Sequence, residues 1–187
     1  MSSSYHYPDL LEGSVRLVRL LPRDPAASEN SRIKCCFLPC PLLNSETTHP
    51  FEALSYAWGS EENPKSISVD GCDFLVGANL YSALLHLQDD FIERILWVDA
   101  LSINQENKDE KGQQVQSMAK IYAKASRVIV WLGEATANGG DAALEYIRAV
   151  SNRQTNTPVD QTKKELIVDL LGRSWFQRIW VRNTGSR

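Results

Sequence analysis

The stretch LWVDALSINQENKDEKGQQVQSMAKIYAKASRVIVWLG, residues 96–133, decides the fold. Its two ends are short apolar runs rich in branched and aromatic residues, the first preceded by Ile95, and both read as strands. Between them Val115, Met118, Ile121, Tyr122 and Ala125 recur at helical spacing, which predicts a helix over 110–124. Strand, helix, strand is the unit of an α/β fold. A polar knot, 99–105, sits where the first strand ends and the chain turns toward the helix. Open α/β sheets place their sites at the carboxyl ends of such strands.

Upstream, 14–21 alternates in part, with Val15, Leu17 and Leu20 among arginines, and 32–38 alternates again through Ile33, Cys35 and Phe37. Both read as strands, separated by loops rich in Pro, Asp, Ser and Asn at 22–31 and 39–50. Residues 51–58 read as a short buried strand. Around Asp70 and Gly71, the apolar residues Ile67, Val69, Phe74 and Val76 form a strong hairpin signal. Asn79 is the expected N-cap of a helix that carries Leu80, Leu84 and Leu87 on one face.

Downstream, Asp141 is expected to cap a helix bearing Leu144, Ile147 and Val150. Residues 151–160 have the composition of an irregular segment, and 163–171 read as a further helix before Trp175, Phe176 and Trp180. The expected architecture is α/β: a largely parallel central sheet of strands at 53–58, 95–99 and 128–132, with helices on both faces and right-handed crossovers. The hairpin and the two amino-terminal strands extend it as an antiparallel addition.

The 187 residues are 43% apolar and 23% charged, with a net charge of −3, which fits one domain across 1–187 with a loose leader at 1–13. Scattered basic residues and mild acidity argue against a nucleic-acid partner. No apolar run approaches the ~20 residues of a membrane span, and the serine-rich start lacks a signal-peptide layout. A cytoplasmic protein with no membrane partner is expected. Cys35, Cys36, Cys40 and Cys72 lack paired metal-ligand spacing and read as reduced core thiols, with no metal. There is no phosphate loop, nucleophile elbow or zinc-binding helix, and His6, His49 and His86 assemble no triad.

FEALSYAWG at 51–59 carries Ala53, Ser55 and Ala57 on one strand face and Leu54, Tyr56 and Trp58 on the other. Tyr56 and Trp58 suit core packing and ligand stacking equally, since each joins a large ring to a polar tip. Gly59 reads as a turn residue. In WVDALSINQ at 97–105, Asp99 is placed for its carboxylate to be oriented by turn amides, as a loop brace or as a ligand contact. Asn104 and Gln105 each donate and accept, which suits a helix cap or a nucleotide's ribose or amide. Glu106, Asp109 and Glu110 favour the start of the long helix through its dipole.

These two stretches, with RSWFQRIWV at 173–181, resemble the three ordered signatures of the fungal heterokaryon incompatibility (HET) domain family. VRLVRLLP at 15–22 and IKCCFL at 33–38 also resemble the family's approach to its first signature, so the likeness covers nearly the whole chain. Where the family usually places a cysteine, this chain has Ser102. The resemblance implies a distant kinship with Toll/interleukin-1 receptor (TIR) domains and a TIR-like, flavodoxin-like sheet.

Enzymatic members of that wider group cleave the nicotinamide bond of NAD with a glutamate four residues after a tryptophan. Here Trp180 is followed at that spacing by Thr184, which cannot supply the charge. The resemblance therefore implies, first, a module of nonself recognition and regulated cell death. Such a module acts on other proteins of that pathway, self-association included, through helix faces and the loop at 104–110. It implies, second, an NAD glycohydrolase with NAD as substrate only and no tightly bound cofactor, in which Asp99 or Glu106 replaces the glutamate. Its candidate pocket comprises Tyr56, Trp58, Gly59, Asp99, Asn104, Gln105 and Trp180. A third reading, a nonfunctional fragment lacking later elements of the family domain, follows from the ending VRNTGSR.

Overall fold

The computed structural model describes residues 5–24, 32–41, 49–60, 62–135, 140–152 and 161–178. The chain forms two compact units, Met1–Trp131 and Leu132–Arg187.

In the first unit the strands are β1 (Val15–Leu20), β2 (Lys34–Cys40), β3 (Glu52–Tyr56), β4 (Lys65–Val69), β5 (Cys72–Val76), β6 (Arg94–Trp97) and β7 (Arg127–Trp131). They form one seven-stranded sheet in the order β5-β4-β2-β1-β6-β3-β7. Its helices are α1 (Ala78–Leu87), the single turn α2 (Asp99–Ser102) and α3 (Lys108–Lys124).

The sheet is mixed rather than largely parallel. The pairs β2/β4, β6/β3 and β3/β7 are parallel, whereas β1/β2, β1/β6 and β4/β5 are antiparallel. The three strands expected to make the parallel centre are contiguous as β6-β3-β7. The amino-terminal pair and the hairpin lie beyond them on one side, joined through an antiparallel β1/β6 seam. Alternation along a strand reveals which side chains share a face but not which way its neighbour runs.

Period-two packing divides the core between the faces. Val18 and Leu20 of β1, Leu54 and Tyr56 of β3, and Leu96 of β6 pack with Leu80, Ala83 and Leu84 of α1. Val15 and Leu17 of β1, Phe51 and Trp97 pack on the opposite face with Ile121 of α3. Helices α1 and α3 therefore cover opposite faces. The stripe on α3 falls on Gln114, Met118, Ile121, Tyr122 and Ala125, while Val115 stays half exposed at its edge.

Asp70 and Gly71 turn the β4/β5 hairpin with positive φ at both positions, 50° and 81°, the backbone that a tight primed turn requires. Asn79 does not cap α1. The helix starts at Ala78 behind Gly77, with no side-chain cap. Asn79 instead donates to Ala57 O at 2.6 Å and accepts from Trp131 Nε1 at 2.9 Å, tying the ends of β3 and β7 to the helix.

The second unit holds α4 (Gly140–Ser151), α5 (Gln161–Gly172) and a short 3-10 turn, Ser174–Gln177. Asp141 lies within α4 rather than at its cap. Ala143 and Leu170 are buried, while Leu144, Ile147 and Val150 are exposed. Lys163 Nζ sits 5.3 Å from the Tyr146 ring centre. All four cysteines are free thiols. Cys35 and Cys40 are buried, Cys36 is half buried, and Cys72 is exposed at the hairpin rather than in the core. Among the described residues no helix is long and apolar enough to cross a membrane.

Candidate functional site

Beyond the carboxyl ends of β3 and β6 the chain leaves toward opposite faces, to α1 after the hairpin and to α3 after α2. Adjacent parallel strands whose connections diverge in this way leave a crevice between their ends. A cleft of about 770 Å³ opens there. Tyr56, Trp58 and Gly59 line it from β3, and Asn104, Gln105 and Glu106 line it from the segment after α2. This volume lies within the ~300–1,000 Å³ of small-molecule sites.

The expected pocket residues take different places in it. Tyr56 is 2% exposed and belongs to the core beneath the cleft, whereas Trp58 is 44% exposed. Gly59 turns the chain at φ 76°, a conformation that L side chains rarely adopt. Asp99 is buried beside the cleft. Its Oδ1 accepts from the Ala100 amide at 2.8 Å and its Oδ2 from Trp58 Nε1 at 3.0 Å. The Asp99 carboxylate thus pins the indole of an exposed tryptophan by its polar tip.

Neither Asn104 nor Gln105 caps the long helix. Asn107 does, its side chain accepting from the Asp109 and Glu110 amides at 3.1 Å. Asn104 Oδ1 accepts from the Glu106 amide at 3.2 Å, and Gln105 Nε2 donates to Asp99 O at 3.0 Å, which shape the loop that carries them. Trp180 and Thr184 lie outside the described residues.

The hairpin and the amino-terminal segment complete the wall. Tyr5, His6 and Tyr7 line the cleft, although no pattern before residue 14 signals order. Tyr7 and Pro8 are held by Arg16, whose side chain is completely buried. Arg16 Nη2 donates to Pro8 O at 2.8 Å, and its guanidinium carbon stands 4.7 Å from the Tyr7 ring centre. Arg16 also forks onto Glu110, with Nη1 at 2.9 Å and Nη2 at 3.3 Å from its carboxylate oxygens. Glu110 therefore does more than favour the start of α3. It neutralises a buried cation, and its Oε1 also accepts from the Asn104 amide at 2.8 Å.

Tyr7 OH donates to Leu101 O at 3.0 Å, and Tyr5 OH donates to Asp70 Oδ2 at 2.9 Å. Burial pushes the Tyr7 phenol up to about 12 against the opposing influence of Arg16, with Glu110 and Glu106 adding to the rise. Burial, then the hydrogen bond to Asp70, raises Tyr5 as well. Both hydroxyls stay protonated and keep donating through the physiological range. One signal of this arrangement was present in the sequence. Arg16 shares its strand face with Val18 and Leu20, a basic residue in an inward register.

The family model described as heterokaryon incompatibility protein (HET) matches residues 51–183. The chain belongs to the HET family. A relative from Neurospora crassa, heterokaryon incompatibility protein 6, OR allele, is 31% identical over 169 residues, covering 82% of this chain and 24% of that protein. This HET chain therefore spans about a quarter of its relative's length. It matches no solved structure. The matched region contains Trp58, Asp99 and the loop at 104–106, whereas Tyr5, Tyr7 and Arg16 precede it.

Proposed function

We propose that this HET chain acts in heterokaryon incompatibility, as a module of nonself recognition whose assembly with other proteins, further copies included, triggers regulated cell death in the fungal cytoplasm. The observation that carries this reading is the family match over 51–183, supported by the name of the Neurospora relative. The half-exposed apolar residues along α4 and the exposed loop that opens α3 are suitable contact surfaces. A TIR-like origin of the sheet belongs to the same reading and is supported by the contiguous parallel strands β6-β3-β7.

Inducible expression of the chain in a filamentous fungus tests it. Death of hyphal compartments, with the chain recovered in higher-mass complexes, is the expected result. Undisturbed growth at matched protein levels counts against the proposal.

The cleft favours a second reading, NAD glycohydrolase activity. Departure of nicotinamide leaves a cation-like ribosyl centre that a nearby carboxylate stabilises. Of the two acidic candidates, Glu106 is the better placed, because it is exposed and lines the cleft. Asp99 already accepts from Ala100 and Trp58. NAD would be consumed as substrate, with no resident cofactor. NAD turnover by the purified chain that disappears in Glu106→Gln supports this reading, and the absence of turnover at high protein concentration removes it.

A further inference from the structure

Two aromatic side chains of the cleft share an unusual arrangement. Trp58 is 44% exposed, yet its ring nitrogen is fixed at 3.0 Å from the buried Asp99 carboxylate. Tyr7 is partly buried, its hydroxyl fixed on Leu101 O and its ring set among the Arg16 guanidinium and the rings of Tyr5, Phe37 and Phe74, with one part of it still lining the cleft. A surface aromatic usually keeps its rotamer freedom. Here buried charges immobilise both rings by the polar tip or one face while leaving apolar area open to the same cleft. Rings ordered in advance lose little entropy when a ligand arrives, which is why rigid Tyr and Trp dominate recognition surfaces.

The edges of the cleft complete the pattern. The loop 104–106 supplies amide and carboxylate groups on one side, and Asp73, whose carboxylate is paired with Arg32, stands on the hairpin side. Apolar faces with polar groups at their margin suit a flat ring that carries hydrogen-bonding atoms on its rim.

We infer that the cleft binds a planar heteroaromatic ring against a wall made by Trp58 and the amino-terminal strap at 5–8, with Arg16 as the residue that positions Tyr7. The strap lies outside the region that the family model matches, so the site is built from two separate parts of the chain. The inference rests on the cleft being a ligand site, and it does not require that NAD be cleaved.

Saturation-transfer NMR with adenosine, guanosine, uridine, nicotinamide and indole, run on the full chain, tests it. At least one of these rings binds the native chain. That binding weakens tenfold or more in Tyr7→Ala and in Trp58→Ala, and less than threefold in Tyr7→Phe, which keeps the ring. Circular dichroism reports whether each variant remains folded. Should Tyr7→Ala fail to fold, Trp58→Ala and Trp58→Phe carry the comparison. Absence of binding by all five rings, or binding that survives both alanine changes, overturns the inference. Ring binding without NAD turnover removes the glycohydrolase reading alone. Turnover unaffected by Tyr7→Ala removes only the role of the strap.

Discussion

The two ends of the parallel strands use charge in different ways. At the amino ends, Glu52 of β3 is held between Arg94 of β6 and Arg127 of β7. All three side chains keep some contact with water, Arg127 most of all. At the carboxyl ends, Arg16 and Glu110 form a pair whose cation is fully buried; the hydrogen bonds left over from that pair hold Pro8, Ser102 and Asn104, and the guanidinium lies against the Tyr7 ring. The first cluster is complete in itself and closes three strands together. The second leaves the Tyr7 ring facing a cleft, the arrangement that the proposed ring-binding site requires and a brace does not.

The largest effect is expected from breaking the buried pair. Arg16→Leu leaves Glu110 beneath the cleft without its cation, and urea denaturation should show a loss of about 3–5 kcal/mol. A loss below that of the Glu52 variant would erase the contrast between the two ends.

Glu52→Gln should lower stability at neutral pH by about 1–2 kcal/mol, because the Arg127 arm is largely screened by solvent. Burial pushes the Glu52 carboxyl up, but the hydrogen bonds from Arg94 and Arg127 outweigh it and hold the carboxyl below its usual range. A lowered folded-state value means that the contribution is present above the unfolded carboxylate range of ~4.3 and is lost as pH falls through the folded value. Urea midpoints of native chain and variant should thus differ at pH 7 and converge toward pH 3. A gap that widens in acid would reverse the assignment.

Gly71→Ala places a side chain at φ 81° in the hairpin whose second strand lines the cleft. A thermal melt should register about 1–2 kcal/mol, with the brace unaffected. The smallest stability change is expected at Trp58. Trp58→Phe removes one hydrogen bond from an exposed ring to a buried Asp99 carboxylate that keeps the Ala100 amide, and equilibrium unfolding should shift by about 1 kcal/mol. A low stability cost in Trp58→Phe joined to a large loss of ring binding in Trp58→Ala would set this end of the sheet apart as the functional one.

Much of the scaffold was legible because its signals are local. The hairpin at Asp70 and Gly71, the strand at 51–58 and the strand-helix-strand unit at 96–133 announce themselves through turn chemistry and side-chain period. Asn79 misled because an Asn before a leucine stripe is a good cap by type. Its amide was instead captured by Ala57 and Trp131, partners 22 and 52 residues away in the chain. Of the expected pocket, Trp58, Gly59, Asn104 and Gln105 do reach one cleft, since each follows a strand that ends on the same side of the sheet. Tyr5 and Tyr7 were not foreseen, because a leader without periodicity carries no local sign of where it docks.

By itself the sequence determined where most strands and helices form and where the polar loops fall, consequences of chemistry within a few residues. Only the tertiary structure decided the mixed direction of the sheet, the union of Arg16 with Glu110 across 94 residues, and the strap that closes the cleft. Pairings of that kind follow from burial of the whole core and from the cost of leaving a charge there without its partner.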